Sequence, residues 1–152
     1  MKRIIALYDR GVVVAAGRLP EAIALLLLRL ALAGVFWRSG QTKVVEGSLL
    51  KIDAVQYDLF ASEFSGLPLD PALAVPLTTY AEHAFPLLLL FGLATRLSAG
   101  ALLVMTLVIQ IFVFPDAWWP VHSLWAAMAS ILIVRGGGLF SLDTIIARLR
   151  RK

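Results

Sequence analysis

The chain contains no cysteine. That removes disulfides, thiolate metal sites and any thiol–disulfide relay from its own chemistry. Histidine is scarce, two in 152 residues, and the acidic residues are scattered, so no dedicated metal site is expected. There is no Gly-rich phosphate loop after a strand, no nucleophile–base constellation, no internal repeat and no low-complexity tract. Charged residues make up only 16% of the chain. Against these shortages, 60% of the residues are hydrophobic, above the roughly 45–50% of a soluble domain. The excess lies in long uninterrupted runs, so the chain reads as an integral membrane protein, with residues 1–152 forming one domain.

Four runs are long enough to cross a bilayer, which takes roughly 17–25 residues. They cover residues 20–37, 71–94, 97–114 and 118–134. Pro20 suits the first position of a helix. The fourth run is short but flanked by Trp118, Trp119 and Pro120. The expected fold is all-α: a membrane four-helix bundle with an amphipathic loop helix on the outer side and short interfacial helices at the termini.

Basic residues set the orientation. Ten of the fourteen, Lys2, Arg3, Arg10, Arg18, Arg96, Arg135, Arg148, Arg150, Arg151 and Lys152, fall on one side of a four-span topology. The other side carries Arg38, Lys43 and Lys51 among Glu46, Asp53, Asp58, Glu63, Asp70 and Asp116. Both termini are therefore expected in the cytoplasm, with the multi-pass protein in a bacterial-type inner (plasma) membrane. Asp9 and Arg10 interrupt any signal-peptide apolar core after Ile4–Tyr8, so Met1–Leu19 is expected to be retained as an interfacial helix.

The one long loop runs from Arg38 to Asp70. Leu49, Ile52, Val55, Leu59, Phe60 and Phe64 recur at roughly helical spacing, predicting a helix over Ser48–Phe64. It would lie over the outer mouth of the bundle or rest in the headgroup layer. Leu142, Ile145, Ile146 and Leu149 give Leu139–Lys152 a second apolar face, with the terminal basic cluster attracted to anionic lipid rather than to nucleic acid.

Two charges stand inside apolar runs: Arg29 within Glu21–Trp37 and Glu82 within Pro71–Thr95. A charge at the bilayer centre costs about 2.5–3.5 kcal/mol on insertion scales, so such groups face the bundle interior and find partners. Placed at similar depth, Arg29 and Glu82 are expected to pair, as a ligand or proton-relay site or as a packing device. His83 follows Glu82 and is a candidate for passing protons; Thr79, one turn earlier, is its ready partner. Arg38, Lys43, Gln110, His122, Ser123 and Trp125 could converge at the outer mouth, the alternative being interfacial snorkelling and helix capping. Arg96 is expected to cap the second span's C-terminal carbonyls or meet lipid phosphate. Gly34, Gly92, Gly100 and the Ala126/Ser130 pair permit close helix approach.

The chain resembles the DoxX family of small four-helix membrane proteins. One part of the likeness is Leu28-Arg29-Leu30, Gly34 and Ser39-Gly40-Gln41-Thr42-Lys43. The other is Glu82, Leu87–Leu90 and Gly92-Leu93-Ala94-Thr95-Arg96. The resemblance implies an inner-membrane four-helix bundle. It also implies a role in redox or stress physiology, since some relatives are subunits of thiosulfate:quinone oxidoreductases and others belong to oxidative-stress complexes. It carries no family-wide catalytic mechanism.

Three functional classes follow. The first is an accessory subunit, not an enzyme alone, that binds a quinone or similar ligand near the buried Arg–Glu pair and docks a soluble or membrane redox partner. The second is a non-enzymatic scaffold recruiting proteins through its loop or tail. The third is a small transporter, for which one charged pair per bundle would call for a homo-oligomer.

Overall fold

Asp70 and Pro71 show how this sequence starts a span. The Asp70 carboxylate accepts a hydrogen bond from the Ala72 amide at 2.8 Å, and Pro71 occupies the first turn, where its missing N–H costs nothing. The helix they open ends at Gly92, whose φ of +66° closes the last turn in the left-handed region that glycine adopts without strain.

The computed structural model describes Ile5, Tyr8, residues 11–14 and residues 16–151. Four membrane-crossing helices dominate it. α1 is Arg18–Gln41, α2 is the short loop helix Val55–Ser62, α3 is Pro71–Phe91 and α4 is Thr95–Phe112. The fourth crossing, Pro115–Arg135, begins as a 3₁₀ turn (Pro115–Ala117) and a π turn (Trp118–His122), then continues as α5 (Ser123–Arg135). Pro120, which lacks an amide hydrogen, sits in the π turn. α6 (Leu142–Leu149) completes the fold. No strand occurs among the described residues; the loop holds only an isolated Val44–Ile52 antiparallel bridge.

α1 packs chiefly on α3 and α4 on α5. Leu25, Leu32, Ala33, Phe36, Leu89, Ala99, Leu102, Ala129 and Leu132 form the core between them. Outside, Leu27, Leu73, Leu77, Val104, Ile111, Leu124 and Val134 are exposed, as an apolar solvent requires. One end of the bundle carries the long loop (the loop end) and the other carries α6 and the start of α1 (the terminal end).

Two expectations change, and one of two alternatives is selected. α1 continues four residues beyond Trp37, to Gln41, which brings Ser39 and Gly40 into the bundle. The loop helix is half its expected length, because Val44–Ile52 form a hairpin-like turn around Gly47 (φ +77°) before Asp53 caps Val55. α2 also packs on the bundle: Phe60 is buried with Ala74 and Val75 of α3, and Phe64 meets Phe114 edge-on. Of the expected helix over Met1–Leu19, Ile5, Tyr8 and Gly11–Val14 are helical, Ala16 and Gly17 form a turn, and Arg18 and Leu19 already belong to α1; its other residues lie outside the described ones.

Candidate functional site at the loop end

The expected pairing of Arg29 with Glu82 does not form. Antiparallel packing sets α1 and α3 in a register where Gly40, not Arg29, lies opposite Glu82. A Cβ on Gly40 would stand 3.2 Å from Glu82 Cβ. Arg29 lies eleven residues back along α1, about 16 Å at 1.5 Å per residue. Equal depth was the wrong inference because the last four residues of α1 belong inside the bundle.

Glu82 finds other partners. Lys43 Nζ is 2.6 Å from Glu82 Oε2, and Ser39 donates its hydroxyl to Oε1 at 3.0 Å. Lys43 also donates to Ser39 Oγ at 3.1 Å. The Lys43 and Glu82 side chains are 11% and 3% exposed, so this is a buried ion pair and not the interfacial snorkelling of a lone lysine.

His83 is tied at both nitrogens. Nδ1 donates to the Thr79 carbonyl at 2.7 Å, an oxygen that can only accept. In the neutral ring Nε2 is then the acceptor, and the Gln41 amide donates to it at 2.9 Å. Thr79 therefore serves His83 through its backbone; its own hydroxyl donates to the Val75 carbonyl. Trp37 stands edge-on to the imidazole, ring centroids 5.1 Å apart. Beside Trp37, Leu30, Ala33, Gly34, Pro86, Leu87 and Leu90 line an apolar groove of about 260 Å³ between α1 and α3.

A second polar group joins the other two spans. His122 Nδ1 donates to Gln110 Oε1 at 2.7 Å, and the Gln110 amide donates to the Pro115 carbonyl at 2.5 Å. Gln110 thus splices the end of α4 to the turns opening the fourth crossing. His122 caps no helix end with its side chain; its ring lies against Trp125, which meets Phe36 edge-on. Ser123 donates back to the Trp119 carbonyl. Arg38 is exposed and makes no hydrogen bond among the described residues, so it stands apart from both groups.

Arg29 belongs to the terminal end. It is fully buried, donating from Nη1 to the Leu89 carbonyl (3.2 Å) and from Nη2 to the Phe140 carbonyl (2.6 Å). It clasps the end of α3 to the segment before α6. Nor does Arg96 cap α3, whose end is closed by Gly92. The Asp143 carboxylate instead accepts from the Ala94 and Thr95 amides at 2.7 and 2.8 Å, capping α4.

The DoxX family profile matches residues 24–115. The chain belongs to the DoxX family. A protein of Haemophilus influenzae described as "Uncharacterized protein" is 31% identical over 144 residues, covering 85% of this chain and 87% of its own length. No solved structure matches the chain.

The DoxX-like stretch Ser39–Lys43 now has a physical reading, residue by residue. Ser39 and Lys43 hold Glu82, Gly40 lets α3 approach, Gln41 fixes His83, and the Thr42 carbonyl accepts from Gln56 of the loop helix. In the second DoxX-like stretch, Gly92 is packed under Arg29 Nη1 and Ser141: a Cβ there would lie 2.6 Å from Ser141 Cβ. In the sequence Ser39 and Gln41 stand out only as parts of a motif. Their spacing from Lys43, four and two residues, was the available signal. Phe140, Ser141 and Asp143 gave none, since two act through backbone or packing.

Proposed function

We propose that this DoxX chain is an accessory subunit of a membrane redox or stress system, not an enzyme by itself, and that it takes a quinone-type ring in the groove beside Trp37. The groove carries the reading: it is apolar along Leu30, Ala33, Leu87 and Leu90, and Trp37 links its loop end to His83. A site of this kind is mostly apolar with a few fixed polar groups. At about 260 Å³ it is smaller than the roughly 300–1,000 Å³ of a closed pocket, which fits a ligand that leaves its apolar tail in the bilayer. A bound quinone would supply two-electron, two-proton redox chemistry. Trp37 and the groove walls would hold its ring, and His83 and Gln41 are the polar groups at that end.

The test compares the parent with Gly34→Leu. Gly34 faces the groove, and a Cβ added there would have nothing within 4 Å, so a larger side chain fills the groove without crowding the core. Mass spectrometry of molecules extracted from mildly solubilised protein should show quinone in the parent and not in the variant, and added quinone should raise only the parent's Tm. Absence of both effects in a folded parent removes the quinone reading.

One observation favours a scaffold instead. Both Glu82 oxygens and both His83 nitrogens are already bonded within the protein, as a packing device would have them. Deletions in the 42–70 loop or the 142–152 tail that abolish partner capture, while Gly34→Leu leaves it intact, select this second reading.

The terminal end carries Arg18, Arg96, Arg135, Arg148, Arg150 and Arg151, which supports an inner-membrane protein with that end in the cytoplasm. Because the chain lacks cysteine, a single cysteine placed at Ser48 or Arg150 reports the side directly by impermeant labelling.

A further inference from the structure

At the terminal end a cleft of about 770 Å³ opens between α1, the α3–α4 link, the Gly136–Gly138 turn and α6. Five arginines line it: Arg18, Arg96, Arg135, Arg148 and Arg151. Two acids also line it, and both are engaged. Glu21 pairs with Arg135, and Asp143 is bound to the Ala94 and Thr95 amides. Arg18, Arg96, Arg148 and Arg151 meet no carboxylate within ion-pair distance among the described residues. Four guanidinium groups around one concavity repel each other unless an anion joins them, and guanidinium forks match phosphate oxygens in pairs.

Two further observations point to an occupant. Thr95 lines the cleft, and its fully buried hydroxyl has no hydrogen-bond partner. A buried hydroxyl left unpaired is costly, so this wall of the cleft is under-satisfied as it stands. The second is α6. Its cleft side presents Asp143, Thr144, Ala147 and Arg148, while Leu142, Ile145 and Leu149 on its other side are 38%, 49% and 66% exposed. An exposed apolar helix face next to an arginine-lined cleft belongs at the level of lipid headgroups. Leu25, Leu97 and Leu139 extend the cleft's own wall with apolar surface.

We infer that this cleft binds the phosphate group of an anionic phospholipid, gripped by Arg96 and Arg148 with Arg18 and Arg151 at its rim, and with the acyl chains leaving along the bundle. Most of these arginines lie outside residues 24–115, so the site is set by this chain's ends and not by the family-matched segment. It is separate from the apolar groove between α1 and α3.

The test uses the full chain in neutral detergent, titrated with phosphatidylglycerol, phosphatidylcholine or inorganic phosphate, with binding read as the rise in Tm. Phosphatidylglycerol should raise Tm saturably, and the rise should shrink with added salt. Arg96→Gln with Arg148→Gln should weaken the apparent affinity about thirtyfold, from roughly one basic-residue contribution each. Both side chains are exposed and unbonded, so the double variant should fold like the parent. Arg38→Gln, at the opposite end, should change nothing. Equal shifts from phosphatidylcholine, or an unchanged phosphatidylglycerol response in the double variant, would overturn the site. The full effect with inorganic phosphate alone would reassign the cleft to a soluble phosphate and overturn the lipid.

Discussion

Gly40 of α1 and His83 of α3 meet without room for a methyl group: a Cβ on Gly40 would lie 2.8 Å from His83 Cε1 and 2.9 Å from Nδ1. This contact fixes the register of the two helices, and with it the location of the polar groups. It places Glu82 within reach of Ser39 and Lys43, and leaves Arg29 to the far end of α3.

Gly40→Ala should therefore destabilise the protein. The imidazole cannot step aside, because the Thr79 carbonyl and the Gln41 amide hold it at both nitrogens. Overpacking of this kind costs about 1–3 kcal/mol. Gly34→Ala, on the same helix but facing open space, should be neutral or mildly stabilising, since alanine favours a helix by up to about 1 kcal/mol over glycine. Thermal melts of the two variants in one detergent check the contrast; equal Tm values would dismiss the contact.

Lys43 and Glu82 should behave as a coupled pair. Lys43→Met or Glu82→Gln alone strands a partner that is almost wholly buried, costing about 3–5 kcal/mol for an uncompensated charge and less where the survivor can neutralise. The double variant should recover a large part of that loss. A double-mutant cycle from denaturant or thermal unfolding measures the coupling, and additive losses would show that the pair contributes nothing as a pair. Arg29→Leu should show no coupling to Glu82→Gln, given the separation of about 16 Å along α1.

Arg29 should control the terminal segment. Removing its guanidinium leaves the Phe140 carbonyl without a donor, at about 1–3 kcal/mol, while the Leu89 carbonyl keeps the Gly92 amide. The loss should appear locally, as faster amide exchange across residues 138–149, because Phe140 and Ser141 are held to the end of α3 from this side. Arg29→Lys keeps the charge but presents one nitrogen where two carbonyls are served, and should be intermediate. Hydrogen exchange by mass spectrometry tests this, and an unchanged rate in Arg29→Leu would remove the clasp.

The four spans were legible because the bilayer demands apolar length, and hydropathy reports length directly. The ends were less so. α1 runs to Gln41 through Arg38, Ser39 and Gln41, polar residues that read as loop until Glu82 and His83 are placed beside them. Arg29 and Glu82 were correctly singled out as buried, but partners cannot be read from depth when the partner is a carbonyl 60 or 111 residues away. Every residue has a carbonyl, so nothing in Leu89 or Phe140 marks it as the acceptor. Gln110 and His122 were gathered with Lys43 as one outer-mouth group because all these polar residues sit near span ends. Their bonds instead divide them between the α1–α3 and α4–α5 pairs.

The α3–α4 link offers a last prediction, in which two changes act in opposite directions. Ala94 holds φ at +49°, a left-handed conformation that costs a non-glycine residue about 1–2 kcal/mol. Asp143 offsets this by accepting from the Ala94 and Thr95 amides, filling the capping place that no side chain of the link itself fills. Asp143→Ala should lower stability by about 0.5–2 kcal/mol, the range for a lost N-terminal cap. Ala94→Gly should be neutral or raise stability by up to about 1 kcal/mol, because the strain relieved exceeds the chain entropy that glycine adds. In the Asp143→Ala background the Ala94→Gly gain should persist, since the strain is set by the turn and not by the carboxylate. Melting curves of the two single variants and the double variant decide this; a destabilising Ala94→Gly would mean that the turn is not strained at Ala94.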